Sequence, residues 1–283
     1  MNRSITKTKK VLHVAAAQII SLGGSAKTLP RIEALSHAAA LLGAEIILFP
    51  EVAIHGYDYD MTKEDVRQQA ETLDGPIARQ ILGMARKYHI TILAGFFEHD
   101  GDDVFNSHLI AEASGALSTQ RKHMLTESEK RAGITPGPKT RRIFEINDIR
   151  CALLICADTG IEGLREELHA LEVNLRFIPT GGGGKVSDML TCNDLKYVAG
   201  RQRYEHNRSR VYISTALDES ALEWGSAAVT ANTLGQIGQE TCHQGHCTIT
   251  DNHGVIRAQA AGTIVLEHMH EQLINAVLTW NDC

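Results

Sequence analysis

Three stretches of this chain place a reactive side chain at the point where an apolar run or a hairpin ends. Ala152-Leu153-Leu154-Ile155 delivers Cys156 and stops at Asp158-Thr159-Gly160. Glu45-Ile46-Ile47-Leu48-Phe49-Pro50 delivers Glu51, and Gln120-Arg121-Lys122-His123 puts Lys122 at the end of a hairpin. In open α/β sheets the working residues lie just past the carboxyl ends of strands, so a thiol in that position reads as a nucleophile. A thiol of pKa about 8.5 is mostly protonated at neutral pH. It therefore needs a base within reach, and the oxyanion it creates needs a cation or N–H donors. One cysteine at a strand end says little, because free cysteines are among the most buried residues. A carboxylate and an ammonium at two further element ends change the balance towards acyl-transfer chemistry.

The elements that must position these groups follow from periodicity. Residues 11–17 form a first strand, and Thr28-Leu29-Pro30 reads as a cap and first-turn proline for a helix carrying Ile32, Leu35, Ala38, Ala39 and Leu42. A second strand then carries Glu51 out of the sheet, which makes a β-α-β unit. Residues 58–67 are polar and read as a surface excursion. Gly75-Pro76 opens a second helix with Ile77, Ile81, Leu82, Ala85 and Tyr88 on one face, followed by a strand over 90–97. Residues 104–112 and 116–122 pair as a hairpin through Ser114-Gly115, and strands follow over 142–146 and 151–155. Beyond the thiol the pattern predicts a charged helix over 161–171, a strand over 175–178, a helix over 188–205 and a strand over 211–216. Residues 218–244 lose periodicity and read as a long loop, before strands over 246–250 and 255–260 and a closing segment over 264–280.

Composition bounds the class. A chain of 283 residues with 43% apolar residues can bury a large core, and one α/β domain over 1–283 is the default, with residues 1–10 a disordered leader. The formal net charge is −6 and the lysines and arginines are scattered apart from Lys7, Lys9 and Lys10, which argues against a nucleic-acid partner. No run approaches the roughly 20 apolar residues of a membrane span, so no membrane association is expected. Six cysteines without a secretory context read as reduced thiols of a cytoplasmic protein.

Two rival signals compete with the thiol. Cys242-His243-Gln244-Gly245-His246-Cys247 holds four zinc-capable side chains, but the spacing lacks a distant second pair, and the segment from His246 reads as a strand whose alternate residues face opposite ways. No metal is expected there. Gly181-Gly182-Gly183-Gly184-Lys185 resembles a phosphate loop, yet Pro179 stands where the first glycine belongs and Val186 where Ser or Thr is needed. A flexible loop near the mouth of the site is the better reading.

With these residues in view, the chain resembles the carbon-nitrogen hydrolase family, the nitrilase superfamily. The resemblance rests on Phe49-Pro50-Glu51, Arg121-Lys122-His123-Met124-Leu125 and Cys156-Ala157-Asp158, supported by Gly56-Tyr57, Phe105-Asn106-Ser107, Thr135-Pro136-Gly137 and Gly245-His246-Cys247, and it covers residues 11 to 280. It implies a four-layer α-β-β-α sandwich with mixed sheets, pairing of subunits into homodimers or larger assemblies, and no cofactor. It also implies Cys156 as nucleophile, Glu51 as general base and Lys122 as oxyanion stabiliser, with a second glutamate at Glu129 in preference to Glu127. Tyr57, Ala157 and Asp158 are expected beside a small-molecule substrate. Ala157 stands where the family usually has an aromatic residue, and Thr159-Gly160-Ile161-Glu162 replaces the usual tail. The implied activity is hydrolysis of a small non-peptide amide, with nitrile or N-carbamoyl hydrolysis as alternatives. A catalytically silent assembly protein of the same fold is the alternative from another class. The shorter Cys-x-Asp, without the Cys-Trp-Glu of the nitrile branch, favours amides.

Overall fold

The computed structural model of the chain describes residues 9–20, 22–213 and 221–281. Two six-stranded mixed sheets and one small three-stranded sheet make up its β structure. The first large sheet contains β1 (Lys9–Gln18), β2 (Ile46–Leu48), β3 (Thr91–Asp100), β4 (Asp103–Ala111), β5 (Leu117–Arg121) and the closing strand β15 (Gln272–Asn281) in the order β15-β1-β2-β3-β4-β5. In the second, β6 (Ile143–Ile146), β7 (Ile149–Leu153), β8 (Leu175–Thr180), β10 (Ala227–Asn232), β13 (Cys247–Thr250) and β14 (Ile256–Ala260) run in the order β14-β13-β10-β8-β7-β6. Strands β9 (Gly183–Lys185), β11 (Leu234–Ile237) and β12 (Thr241–Gln244) form the small sheet.

Period-two alternation decides which faces meet. Leu12, Val14 and Ala16 of β1 pack with Ile46, Leu48, Leu93 and Ile110 against Leu153, Leu175, Phe177, Val229 and Ile249 of the second sheet. The intervening Ala15 and Ala17 face the other way, towards helices α1 (Ser25–Leu41) and α3 (Pro76–Tyr88). On the far side of the second sheet, Ala152, Leu154, Ile178 and Ala228 meet Leu164 and Leu168 of the helix over Leu164–Ala170. The layers are therefore helix, sheet, sheet, helix, the expected sandwich. Each fully buried Leu, Ile or Phe in these layers contributes about 1.5–3 kcal/mol of transfer free energy.

Several segments differ from the pattern reading. Helix α1 begins at Ser25, so Pro30 lies inside it, and Thr28 is in the second turn, donating its hydroxyl to the Gly24 carbonyl instead of capping. The polar stretch after residue 58 contains helix α2 (Lys63–Gln69), closed by a Thr62–Asp65 capping box. The helix expected over 188–205 starts at Val198, after 3₁₀ turns over Val186–Asp188 and Asp194–Lys196, and runs to Ile213. It thus takes in residues 211–213 of the strand expected over 211–216, whose remaining residues lie outside the described ones. Of the long loop expected over 218–244, residues 218–220 lie outside the described ones, and residues 221–244 are not a loop. They hold a short helix (Ala221–Trp224), β11, β12 and the central strand β10, whose Ala-Ala-Val-Thr-Ala-Asn sequence is buried throughout yet too small and polar to signal a strand. Of the leader expected over 1–10, Lys9 and Lys10 already belong to β1 and the rest lies outside the described residues. No helix among the described residues is long and apolar enough to cross a membrane.

Candidate active site

The carboxyl ends of β2, β5 and β7 converge, and each carries one of the three side chains singled out above. Glu51 follows β2 in a tight turn whose next residue, Val52, has φ 46°, a conformation that costs a β-branched residue energy. Gly95 of β3 permits this turn. A Cβ there would lie 2.2 Å from the Val52 nitrogen. The Glu51 amide donates to the Thr180 carbonyl at the end of β8 at 3.3 Å, which ties the two sheets together at the site. Cys156 adopts φ 49° at the start of a 3₁₀ turn over Cys156–Gly160, so both the acid and the thiol sit at strained corners.

Lys122, at the end of β5, is wholly buried. Its Nζ donates to Glu51 Oε1 at 2.6 Å and to Glu129 Oε1 and Oε2 at 3.0 and 2.8 Å. Asn106 of β4 joins the cluster: its Nδ2 donates to Glu51 Oε1 at 2.8 Å and to Glu129 Oε1 at 2.6 Å. Glu129 is held from a third side, because it closes the capping box of helix α4 (Glu127–Arg131), accepting from the Thr126 N–H and hydroxyl at 2.8 Å each. Glu127, the alternative second glutamate, points to solvent and pairs with Lys130. Two oxygens of the cluster, Asn106 Oδ1 and Glu51 Oε2, are buried with no hydrogen-bond partner among the described residues, and Glu51 Oε2 is the carboxylate one. It faces Gly181, where a Cβ would stand 3.1 Å from it.

The electrostatics suit proton transfer. Burial first, and then the Glu129 charge, hold the Glu51 carboxyl above its usual range, while Lys122 and Asn106 pull it back. Burial opposes the Lys122 ammonium, but the neighbouring carboxylates of Glu51 and Glu129, joined by Cys156 once it is a thiolate, outweigh it and hold the lysine well above its usual range. The Cys156 thiol is pushed up to about 12, by burial and then by Glu51, against the opposing pull of Lys122 and the Gly181 backbone. At neutral pH it is therefore a thiol and not a thiolate.

Other predicted residues fall in different places. Tyr57 is buried against the cluster, with Lys122 Nζ 5.9 Å from its ring centre and its hydroxyl paired with Thr126 and Ser128. Ala157 is half-buried in the turn directly after the thiol. Asp158 is buried, and its Oδ1 accepts the backbone N–H groups of His123 and Met124 at 3.0 and 2.7 Å. It locks the segment after Lys122 to the turn after Cys156. Asn106, expected only as part of the supporting Phe105-Asn106-Ser107 motif, and Tyr59, in the stretch expected as a surface excursion, also reach the site. Tyr59 donates its hydroxyl to the Gly181 carbonyl at 2.8 Å, and the thiolate form of Cys156 acts on it. The glycine run is ordered rather than a loose flap, since Gly183 and Gly184 pair with His243 and Cys242. Cys242 and Cys247 point into separate cores and His243 bonds to the Tyr57 carbonyl. Among the described residues no group of three or more His, Cys, Asp or Glu is placed to hold a metal ion.

Comparison with known proteins bears on the family and the fold. The carbon-nitrogen hydrolase family matches residues 13–264. A nitrilase from Pyrococcus abyssi is 29% identical over 133 residues, 47% of this chain and 50% of that protein, so the chain spans about half the length of that curated relative. Among solved structures, a CN-hydrolase superfamily protein from Xanthomonas campestris with an arsenic adduct in its active site superposes with TM-score 0.74 at 17% identity, covering 94% of this chain and 90% of that one. An amidase of the nitrilase superfamily from Nesterenkonia does so with TM-score 0.70 at 17% identity, covering 96% and 91%.

Proposed function

We propose, from the fact that this chain belongs to the carbon-nitrogen hydrolase family, that it hydrolyses small non-peptide amides through an acyl-thioester on Cys156. One observation carries the reading: a buried Glu51–Lys122–Glu129–Asn106 cluster satisfies every cluster contact of Glu51 through Oε1 and leaves Oε2 unpartnered beside the backbone against which the thiol lies. A buried carboxylate oxygen without a partner is costly and is placed to exchange a proton.

In the proposed sequence Glu51 takes the Sγ proton as Sγ attacks the amide carbon. The negative charge passes to the carbonyl oxygen, where the Lys122 ammonium and the Ala157 N–H oppose it; such donors contribute about 3–4 kcal/mol each. Glu51 then hands its proton to the amide nitrogen, the C–N bond breaks and the amine leaves. Water gives a proton to Glu51 as it attacks the thioester, the C–S bond breaks, and that proton returns to the thiolate as the acid departs. Glu129 and Asn106 act as positioning residues that fix Lys122 and Glu51 relative to each other. The Nesterenkonia amidase has been captured with the acetamide moiety of fluoroacetamide on its active-site cysteine, which supports a cysteine nucleophile in this fold.

Nitrile hydrolysis is the second reading, favoured by the nitrilases among the relatives. Paired kinetics on small amides and their matching nitriles decide between them. Amides should give the higher kcat/KM across the panel; a consistent excess for nitriles moves the protein to the second reading.

A further inference from the structure

Two segments far apart in sequence flank the reacting groups: Tyr57-Asp58-Tyr59, after the Glu51 turn, and Gly181-Gly182, which lead into β9. A Cβ on Gly181 would meet the Tyr57 ring at 2.4 Å and Glu51 Oε2 at 3.1 Å, and the Gly181 backbone favours the ionised form of Cys156. The seating of these two segments therefore sets the space around base and nucleophile. One strand touches both. Along one edge β12 pairs with β9, His243 opposite Gly183 and Cys242 opposite Gly184. Two buried side chains of the same strand reach the tyrosine segment. His243 Nε2 donates to the Tyr57 carbonyl at 2.6 Å, and Thr241 Oγ1 accepts the Tyr59 N–H at 3.2 Å while donating to Asp58 Oδ1 at 3.0 Å.

The chemistry of His243 singles out that contact. Burial holds its ring below the usual histidine range, so at neutral pH it has a single N–H, and because a carbonyl can only accept, that proton is on Nε2. Nδ1 is left buried with no hydrogen-bond partner among the described residues, a cost that an apolar ring of similar shape would not incur. The ring stacks on Tyr57, with 6.4 Å between centres, and meets Tyr59 edge-on at 5.6 Å. Gly183 makes room for it, since a Cβ there would stand 3.0 Å from His243 Cα and 3.1 Å from Nδ1. Phenylalanine would fill the same space without the Nδ1 cost, so what histidine adds is the bond to the Tyr57 carbonyl.

We propose that β12, through His243 and Thr241, straps Tyr57 and the glycine run against Cys156 and Glu51, with His243 a positioning residue for the hydrolysis. The strap acts through two links: Tyr57 packs on Gly181, and Tyr59 donates its hydroxyl to the Gly181 carbonyl. It extends to the lysine side, because the Tyr57 hydroxyl pairs with Thr126, the cap of the helix that carries Glu129. Its effect on turnover rests on the amidase reading of the site, and its effect on the thiol does not.

His243→Phe keeps a ring and removes the donor; His243→Gln keeps a donor near the Nε2 position and removes the ring. Steady-state kinetics on a turned-over amide read the first effect, and iodoacetamide alkylation at pH 9, followed on the Cys156 peptide, reads the second without any substrate. In His243→Phe, kcat should fall about 10–100-fold with KM within about 3-fold of wild type, and alkylation of Cys156 should slow about 5-fold or more. In His243→Gln both should return to within about 3-fold of wild type, a recovery that loss of packing alone would not give. A folded His243→Phe with wild-type kcat, or with Cys156 alkylated at the wild-type rate or faster, overturns the positioning role, as do losses in His243→Gln equal to those in His243→Phe. If the wild type turns over no amide, the amidase reading has failed and the alkylation series alone decides, by the same criterion. If His243→Phe does not fold, Thr241→Val takes its place, with Thr241→Ser as the variant that should recover both readouts.

Discussion

Replacing Gly181 by alanine adds one methyl group at the point where the base, Tyr57 and the thiol meet. Gly181 does not have a positive φ, so alanine brings no backbone strain, and the effect is steric. The new Cβ would stand 2.4 Å from Tyr57 Cδ1 and 3.1 Å from Glu51 Oε2, where ordinary contact begins at 3.4 Å. Tyr57 or the residue 181 backbone must therefore yield by roughly 1 Å, and a misplacement of that size costs about 100-fold in rate. Tyr57 has little room to move, being buried with its hydroxyl tied to Thr126 and Ser128. Overpacking of this kind also costs about 1–3 kcal/mol of stability. Gly182→Ala is the matched control, because its Cβ meets only the Asn232 amide, at an ordinary 3.4 Å. Steady-state kinetics on a turned-over amide, with urea unfolding of each variant, should show kcat/KM lowered about 100-fold in Gly181→Ala and within about 3-fold of wild type in Gly182→Ala. A Gly181→Ala enzyme as active as the wild type, or equal losses in both variants, refutes the placement of base and thiol around residue 181.

Asn106→Ala removes two hydrogen bonds to carboxylates, so kcat should fall roughly 10–100-fold with KM nearly unchanged. Because Asn106 holds the Glu51 pKa down, the acid limb of the kcat/KM profile should move to higher pH; a parallel loss with no shift would mark Asn106 as merely structural. Glu51→Gln should lower turnover about 10²–10⁴-fold. It should also speed iodoacetamide alkylation of Cys156 at pH 9 to 10, because it removes a charge that raises the thiol pKa; slower alkylation there contradicts the assigned electrostatics. His55 accepts the Phe97 N–H and is pushed down to about 4 by burial. Its neutral form is favoured by folding, so its contribution is complete above the unfolded value near 6.5 and is lost as pH falls towards 4, at up to about 1.4 kcal/mol per pH unit. Urea unfolding between pH 7 and 4.5 should give a shallower decline in His55→Asn than in the wild type, and identical slopes would show that this histidine does not carry the acid lability.

The parts of the site legible in the sequence are those marked by a change of pattern along the chain. Cys156, Glu51 and Lys122 each stand where an apolar run or hairpin ends, and that boundary is a local property. Glu129, expected in preference to Glu127, carries a local signal too: Thr126-Glu127-Ser128-Glu129 is a capping box, which turns Glu129 back towards Lys122 and leaves Glu127 in solvent. Asn106 carries no such signal. It lies in the middle of β4, and only the antiparallel pairing of β4 with β5 brings its amide between two carboxylates distant in sequence. Tyr59 is likewise drawn in by the glycine turn after β8. Among the elements, β10 escaped because a strand buried on both faces between β8 and β13 can be built from alanine, valine and threonine without an alternating pattern. The start of α1 escaped because a proline tempts the reader to begin a helix at it, whereas here the turn begins five residues earlier.

The central claim is that Cys156 forms the covalent bond to the acyl group, with Glu51 supplying and removing the proton. Rapid quenching of the enzyme with a slowly hydrolysed small amide, followed by intact-mass measurement and peptide mapping, addresses it directly. A single acyl adduct should appear on the peptide containing Cys156, should be absent in Cys156→Ala, and should accumulate to a different steady level in Glu51→Gln as both proton-transfer steps slow. An adduct mapped to Cys151, Cys192 or any other residue, or turnover that survives in Cys156→Ala, contradicts the account.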